Sequence, residues 1–415
     1  MIALVDCNNF YVSCERVFHP RLNHKPVIVL SNNDGCAIAR SNEAKSLGIG
    51  MGTPYYKIRE LCRKNEVNVY SSNYELYGDM SRRVVSVLGR FTNQVEVYSI
   101  DESFLGIDER NDLLDISQKM RTAVLKWTGI PVSVGLGPTK TLAKLANKLA
   151  KKKHSGCLIV RQNDYEIISS VEIEKVWGVG RRLASKLRLI GVSNALDLVN
   201  APSEKIRKVG GVVLERTQKE LQGWQCLSID QCPQPKKNVC CSRSFGQSVR
   251  SLGQIEEAIS NHVFRGVQKI RKEKSAACGL QAFIKTNPFR INTPQYSNSR
   301  VIGFDAPTDE PMQLISTAKR MVRSIYREGY EYHKAGIMLL NLQPKAEQQG
   351  LLFCENAQSK KRMKLVEAIE DIRNSYGSGS AFLAAQGIER KWEMKRNHRS
   401  PRYTTNWQEI PSIGS

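Results

Sequence analysis

Asp6 closes the apolar run Ile2-Ala3-Leu4-Val5, and the pair Asp101-Glu102 follows Val95-Glu96-Val97-Tyr98-Ser99-Ile100. Strands pack side by side, so two strand ends can gather three carboxylates that lie far apart in sequence. Three carboxylates in one place cannot all stay ionised without a counter-charge, and hard divalent cations supply one. Two such ions about 3.5–4 Å apart are the machinery of in-line phosphoryl transfer. On spacing alone, three unrelated surface carboxylates are the alternative. A second constellation is cationic. Lys140, Lys144, Lys148 and Lys151 fall four, four and three apart, on one face of a helix whose opposite face is Leu142, Leu145, Ala146 and Leu149. From residue 116 to 163 there are ten Lys or Arg and no Asp or Glu, so the row reads as a seat for phosphates rather than an ordinary solvated face.

The elements that must position these groups follow from periodicity. Residues 2–5, 27–30, 95–100, 104–107, 132–136 and 158–160 read as strands, several apolar throughout and so covered on both faces. Residues 116–127 and 139–152 read as helices, making an α/β layer with its acids at strand ends. Residues 166–230 change to short helices with Gly turns. There Trp177-Gly178-Val179-Gly180 opens a helix over 181–189, a helix-hairpin-helix pattern whose backbone N–H groups can approach a phosphate. An ordinary αα-hairpin is the alternative. A Pro-rich basic linker precedes a second mixed α/β unit, and the last seventy or so residues are patchier, with a helical stretch at 362–372.

At 415 residues the chain suits several domains, and 62 Lys and Arg against 40 Asp and Glu give a net charge of +22. That surplus favours a polyanionic partner, nucleic acid before membrane. Eleven Cys without a Cys-x-x-Cys pair argue for reduced thiols rather than zinc or a disulfide framework. The apolar start has no basic flank, and no apolar run reaches the ~18 residues of a membrane span, so a cytoplasmic protein is expected.

Asp6-Cys7-Asn8-Asn9-Phe10-Tyr11-Val12-Ser13-Cys14-Glu15 and Tyr98-Ser99-Ile100-Asp101-Glu102 resemble the two catalytic motifs of the Y-family (translesion) DNA polymerases. The likeness continues through Ser71-Ser72-Asn73-Tyr74-Glu75-Leu76-Tyr77, Cys241-Ser242-Arg243-Ser244-Phe245-Gly246 and Ser400-Pro401-Arg402-Tyr403-Thr404-Thr405, and points to the branch holding bacterial DNA polymerase V and its plasmid-borne relatives. It implies an α/β multidomain, right-hand architecture. An α/β palm would span 1–30 and 78–165, small fingers 31–77, a helical thumb 166–230 and a linker 231–239. An α/β little finger would follow at 240–345, then a C-terminal tail at 346–415.

The same resemblance assigns roles. Asp6, Asp101 and Glu102, with the backbone carbonyl of Cys7, would hold two Mg²⁺ ions. Tyr11 would lie beneath the deoxyribose and exclude a 2′-hydroxyl, with Phe10 beside it, while Lys45 and Lys151 would grip the triphosphate. Asn42 and Lys45 depart from the Tyr and Arg of many members, and Lys lacks the bidentate fork of Arg. Gly178, Gly180, Arg243 and Lys285 would contact DNA. Gln349, Leu351, Leu352 and Phe353 resemble a sliding-clamp peptide, although Gly350 stands where Leu is usual, and a fragment of a packed segment is the alternative.

The implied activity is error-prone, DNA-templated synthesis from dNTPs on a primer-template during the SOS response, without proofreading. A processed UmuD dimer, RecA and the sliding clamp would be partners. A catalytically silent DNA-bound adaptor is opposed by the intact Asp6, Asp101 and Glu102. A palm-fold nucleotidyl cyclase is opposed by the basic modules that follow the palm.

Overall fold

The computed structural model describes residues 1–110, 112–230, 234–345, 357–377 and 379–410. The chain divides into two compact units, Met1–Pro233 with Asn397–Ser415, and Gln234–Arg396. Strands of the first unit are β1 (Ile2–Cys7), β2 (Val27–Leu30), β3 (Ala37–Arg40), β4 (Asn68–Ser71), β5 (Val95–Val97), β6 (Glu102–Gly106), β7 (Val132–Gly137) and β8 (Cys157–Ile159).

The larger sheet runs β5-β6-β1-β7-β8, with β1 central and antiparallel to both neighbours. Every residue of β1 is buried, which requires cover on both faces. Ile2 and Leu4 pack with Phe104 and with Ala143 of helix Lys140–Ala150, whereas Ala3, Val5 and Cys7 enter the main core with Leu105, Val132 and Val134. That helix lies directly on the sheet because β7 carries glycine beneath it. A Cβ on Gly135 would stand 2.0 Å from the backbone nitrogen of Asn147. Buried Asn147 then pins helix to sheet, its Nδ2 donating to the carbonyls of Leu4 at 3.0 Å and Ser133 at 2.8 Å.

The smaller sheet, β3-β2-β4, takes residues 27–30 apart from β1. Ile28 and Leu30 pack with Ala37, Ala44 and Ile49, while Val27 and Val29 face the main core. A strand apolar on both faces carries no mark of which sheet it will join. Further on, helices Tyr165–Ser169, Arg181–Arg188, Ala195–Asn200 and Ser203–Leu221 gather around Ala184, Leu187, Leu198 and Leu214. Leu142, Leu145 and Ala146, on the back of helix Lys140–Ala150, complete that core.

The second unit is an antiparallel sheet of β9 (Val239–Val249), β10 (Ser275–Thr286), β11 (Ser297–Thr308) and β12 (Tyr332–Pro344), in the order β11-β10-β12-β9. Helices Leu252–Lys272 and Pro311–Ile325 cover one face through Ile259, Val263, Ala318 and Val322. The stretch read as a tail is shared out: helix Ala357–Tyr376 and buried Trp392 belong to this unit, and the chain from Asn397 belongs to the first. Gln349, Leu351, Leu352 and Phe353 lie outside the described residues. Among the described residues no helix is long and apolar enough to cross a membrane. Nine cysteines there are free thiols.

Candidate active site

Asp6 and Glu102 are direct cross-strand partners in the β1–β6 ladder, two residues beyond the Leu4–Phe104 pair. Side chains alternate along a strand, so both carboxylates leave the face that helix Lys140–Ala150 covers. Asp101 sits just outside β6, its carbonyl accepting from Cys7 N at 2.8 Å. Ser99 forms the turn there: its Oγ donates to the Asp101 carboxylate at 2.6 Å and accepts from Glu102 N at 3.0 Å. This turn is why the strand expected over 95–100 stops at Val97. Cys7 has the opposite parity to Asp6. Its thiol is buried in the main core and its pKa is pushed up, by burial first and then by Asp6, so only its backbone can reach the acids.

Two lysines provide the counter-charge. Lys151 pairs with Asp6 at 2.7 Å and Lys144 with Glu102 at 2.9 Å. Burial raises the Asp6 pKa to about 6; Lys151 pulls against it, and Glu102 and Asp101 push it further up. The three acids therefore feel one another. Among the described residues no three His, Cys, Asp or Glu side chains are gathered so as to hold a metal ion. In kind, the donors suit a hard divalent cation, since carboxylate and carbonyl oxygens are what such ions take; the ammonium groups now lie against them.

The four lysines of the row have different surroundings. Lys140 is buried and paired with Glu96 at 2.5 Å, a structural tie, and Lys148 donates to the carbonyl of Lys175 at 3.0 Å. Lys144, Lys148 and Lys151 line a cleft of about 200 Å³ with Asp6, Glu102 and Trp177. Trp177 meets Tyr98 edge-on at 5.7 Å, bringing the Gly turn beside the acids. There Gly178 takes a left-handed φ of 84° and Gly180 precedes helix Arg181–Arg188.

Phe10 and Tyr11 part company. The Phe10 ring is buried in the main core, whereas Tyr11 is partly exposed, stacked on Tyr77 at 4.5 Å and 14° and edge-on to Tyr74 at 6.0 Å. Burial raises the Tyr11 pKa to about 12, with Tyr74 and Asp101 adding to it. Lys45 donates to Asn9 Oδ1 at 2.7 Å and Asn42 Oδ1 at 3.3 Å, tying the small sheet's helix to the residue before helix Phe10–Phe18. Its pKa is lowered by burial, then by Arg40 and Lys151. Arg40 thus joins the cation group, a lone basic residue at a strand end that no sequence pattern marks.

In the second unit Arg243 and Lys285 occupy opposite faces of one sheet. Arg243 pairs in register with fully buried Ala335 and lines a pocket with His262, Arg265 and Lys269 on the helix side. Lys285 pairs with Lys334 and lies one residue from fully buried Ile284, so it points to the uncovered face.

Residues 5–148 match the impB/mucB/samB family and residues 236–352 its C-terminal domain. Protein UmuC of Salmonella typhimurium is 42% identical over 99% of this chain and 99% of its own length. The chain belongs to the impB/mucB/samB family. A more distant relative, DNA polymerase IV of Picrophilus torridus, is 28% identical over 65% of this chain and 79% of its own. The fold is that of the Y-family polymerases: a Dbh-Dpo4 Y-family DNA polymerase chimera superposes with a TM-score of 0.67 at 18% identity, over 83% of this chain and 100% of that one. Residues 363–413 match a domain of unknown function.

Proposed function

We propose that this member of the family is an error-prone, template-directed DNA polymerase that extends primers across damaged bases. The observation that carries the reading is the Asp6–Glu102 cross-strand pair with Asp101 at the end of the same ladder, set against a cluster of cations. Asp6, Asp101, Glu102 and the Cys7 carbonyl would hold two Mg²⁺ ions. When bound, the ions supply activation of the primer 3′-hydroxyl and neutralisation of the leaving pyrophosphate.

The protein's own groups do the rest. Lys151, on a flexible stem, exchanges Asp6 for the triphosphate, where Lys45 and Arg40 add charge. Asn9 and Asn42 steer Lys45, so a point charge is aimed by two amide oxygens. The Tyr11 ring, backed by Tyr77, meets the 2′ position of the incoming sugar. Backbone N–H groups near Gly178 and Gly180, and the face carrying Lys285 and Lys334, take DNA phosphates; Arg243 would reach DNA only from the helix side.

In this reading the palm is the β5-β6-β1-β7-β8 sheet, the fingers take β2 with β3 and β4, the thumb is the helical cluster, and the second unit is the little finger. Partnership with a processed UmuD-type dimer, RecA and the sliding clamp, and service in the SOS response, rest on the likeness to UmuC. Primer extension with these partners on a template bearing an abasic site tests the proposal. Insertion opposite the lesion by wild type and none by Glu102→Ala is the expected result. Extension that halts at the lesion would remove translesion synthesis, and no extension on any template would favour the adaptor.

A further inference from the structure

The motifs at residues 71–77 and 400–405 are brought together by the fold across 327 positions of sequence. Ser71 N donates to His398 O and His398 N to Ser71 Oγ, each at 2.9 Å. Fully buried Asn73 serves two tasks. Its Oδ1 accepts from Leu76 N, capping helix Tyr74–Leu88, while its Nδ2 donates to the carbonyls of Ser400 at 3.0 Å and Pro401 at 3.1 Å. Beneath it, Ser400 Oγ donates to Glu15 Oε1 at 2.9 Å, and Tyr77 OH donates to the same oxygen at 2.6 Å. Glu15 is 0% exposed and forms no ion pair among the described residues; its Oε2 has no hydrogen-bond partner there. Tyr74 and Tyr77, on the capped helix, are rings against which Tyr11 packs.

We propose that residues 397–403 form a strap that positions Tyr11: it grips the start of helix Tyr74–Leu88 through Asn73 and fixes the Tyr77 ring through Glu15, thereby setting discrimination between deoxyribo- and ribonucleotides. The inference rests on the reading of Tyr11 as the residue that meets the sugar. A ring excludes one extra oxygen only if it cannot retreat, and a small displacement is enough to lose that. Tyr77 is held by a hydrogen bond to a buried acid, and that acid is held by the strap. Within the region matching a domain of unknown function, Ser400 is thus a positioning residue.

Single-turnover incorporation of a matched dNTP and rNTP by the full chain tests this in wild type, Ser400→Ala, Tyr11→Ala and the double variant. Ser400→Ala should lower the preference for dNTP by about fivefold, the scale of one hydrogen bond's worth of positioning, with dNTP incorporation near wild type. In the Tyr11→Ala background it should add nothing. Tyr77→Phe, which cuts the link to Glu15 with the ring intact, should lower the preference similarly, and serves as the test should Ser400→Ala fold poorly. Glu15→Gln, which retains an acceptor oxygen, should keep the preference. The strap is overturned if Tyr11→Ala lowers the preference while Ser400→Ala and Tyr77→Phe leave it unchanged, or if Ser400→Ala adds its own loss on top of Tyr11→Ala. An unchanged preference in Tyr11→Ala overturns instead the reading of Tyr11, and the strap's role in sugar choice with it.

Discussion

Asp6 and Glu15 stand at two ends of one short stretch of chain, one on β1 and the other in the helix that follows. Both are buried, at 7% and 0% exposure, and burial is the leading cause that raises each pKa, to about 6 and about 7. Their partners differ. Asp6 faces a cleft and is paired with the ammonium of Lys151, whereas among the described residues the Glu15 carboxyl receives only the hydroxyls of Tyr77 and Ser400. A lysine on a four-carbon stem can leave one anion for another; hydroxyls fixed by a helix and a strap cannot. Burial makes a carboxylate costly in both regions, and only the partner of Asp6 is free to give its place to another anion.

Asp6→Asn keeps the shape of the side chain and removes its charge. Incorporation should fall by about a thousandfold or more, while the melting midpoint stays within a few degrees of wild type. A rate above a tenth of wild type in single-turnover assays would return Asp6 to the structural class. Glu15→Leu should do the opposite. It leaves two buried hydroxyls without an acceptor, a loss of about 2–6 kcal/mol at roughly 1–3 kcal/mol each. Urea unfolding at pH 5 reads that loss, and dNTP incorporation per folded molecule should stay within a few-fold.

The smallest effect concerns pH. Glu15 has a folded pKa of about 7 against an ordinary value of 4.5, so between these the folded state holds a proton the unfolded chain has released. Its contribution is therefore full below pH 4.5 and is lost as pH rises to about 7, by about 3 kcal/mol. Glu15→Gln should flatten the stability profile over that window relative to wild type. Parallel profiles for the two proteins would mean that Glu15 titrates as an exposed acid does.

Much of the first region was legible because its signals are local. An apolar run ending in an acid marks β1 and Asp6. The lysine spacing correctly predicted one helix face, yet it could not separate Lys140, buried against Glu96, from Lys144 and Lys151, because partners come from other elements. Likewise Arg243 and Lys285 look equivalent as basic strand residues until register puts them on opposite faces.

Neighbouring residues and long motifs were enough to mark the family, the strand ends that carry Asp6 and Glu102, the helix that carries the lysines and most strands. Long-range packing placed β2 in the smaller sheet, set Lys144 and Lys151 against Glu102 and Asp6, and brought Ser400 to Glu15. Those outcomes depend on which apolar faces meet and which buried polar atoms must find a partner once water is gone. Contacts between residues so far apart in the chain leave no periodicity for a sequence to display.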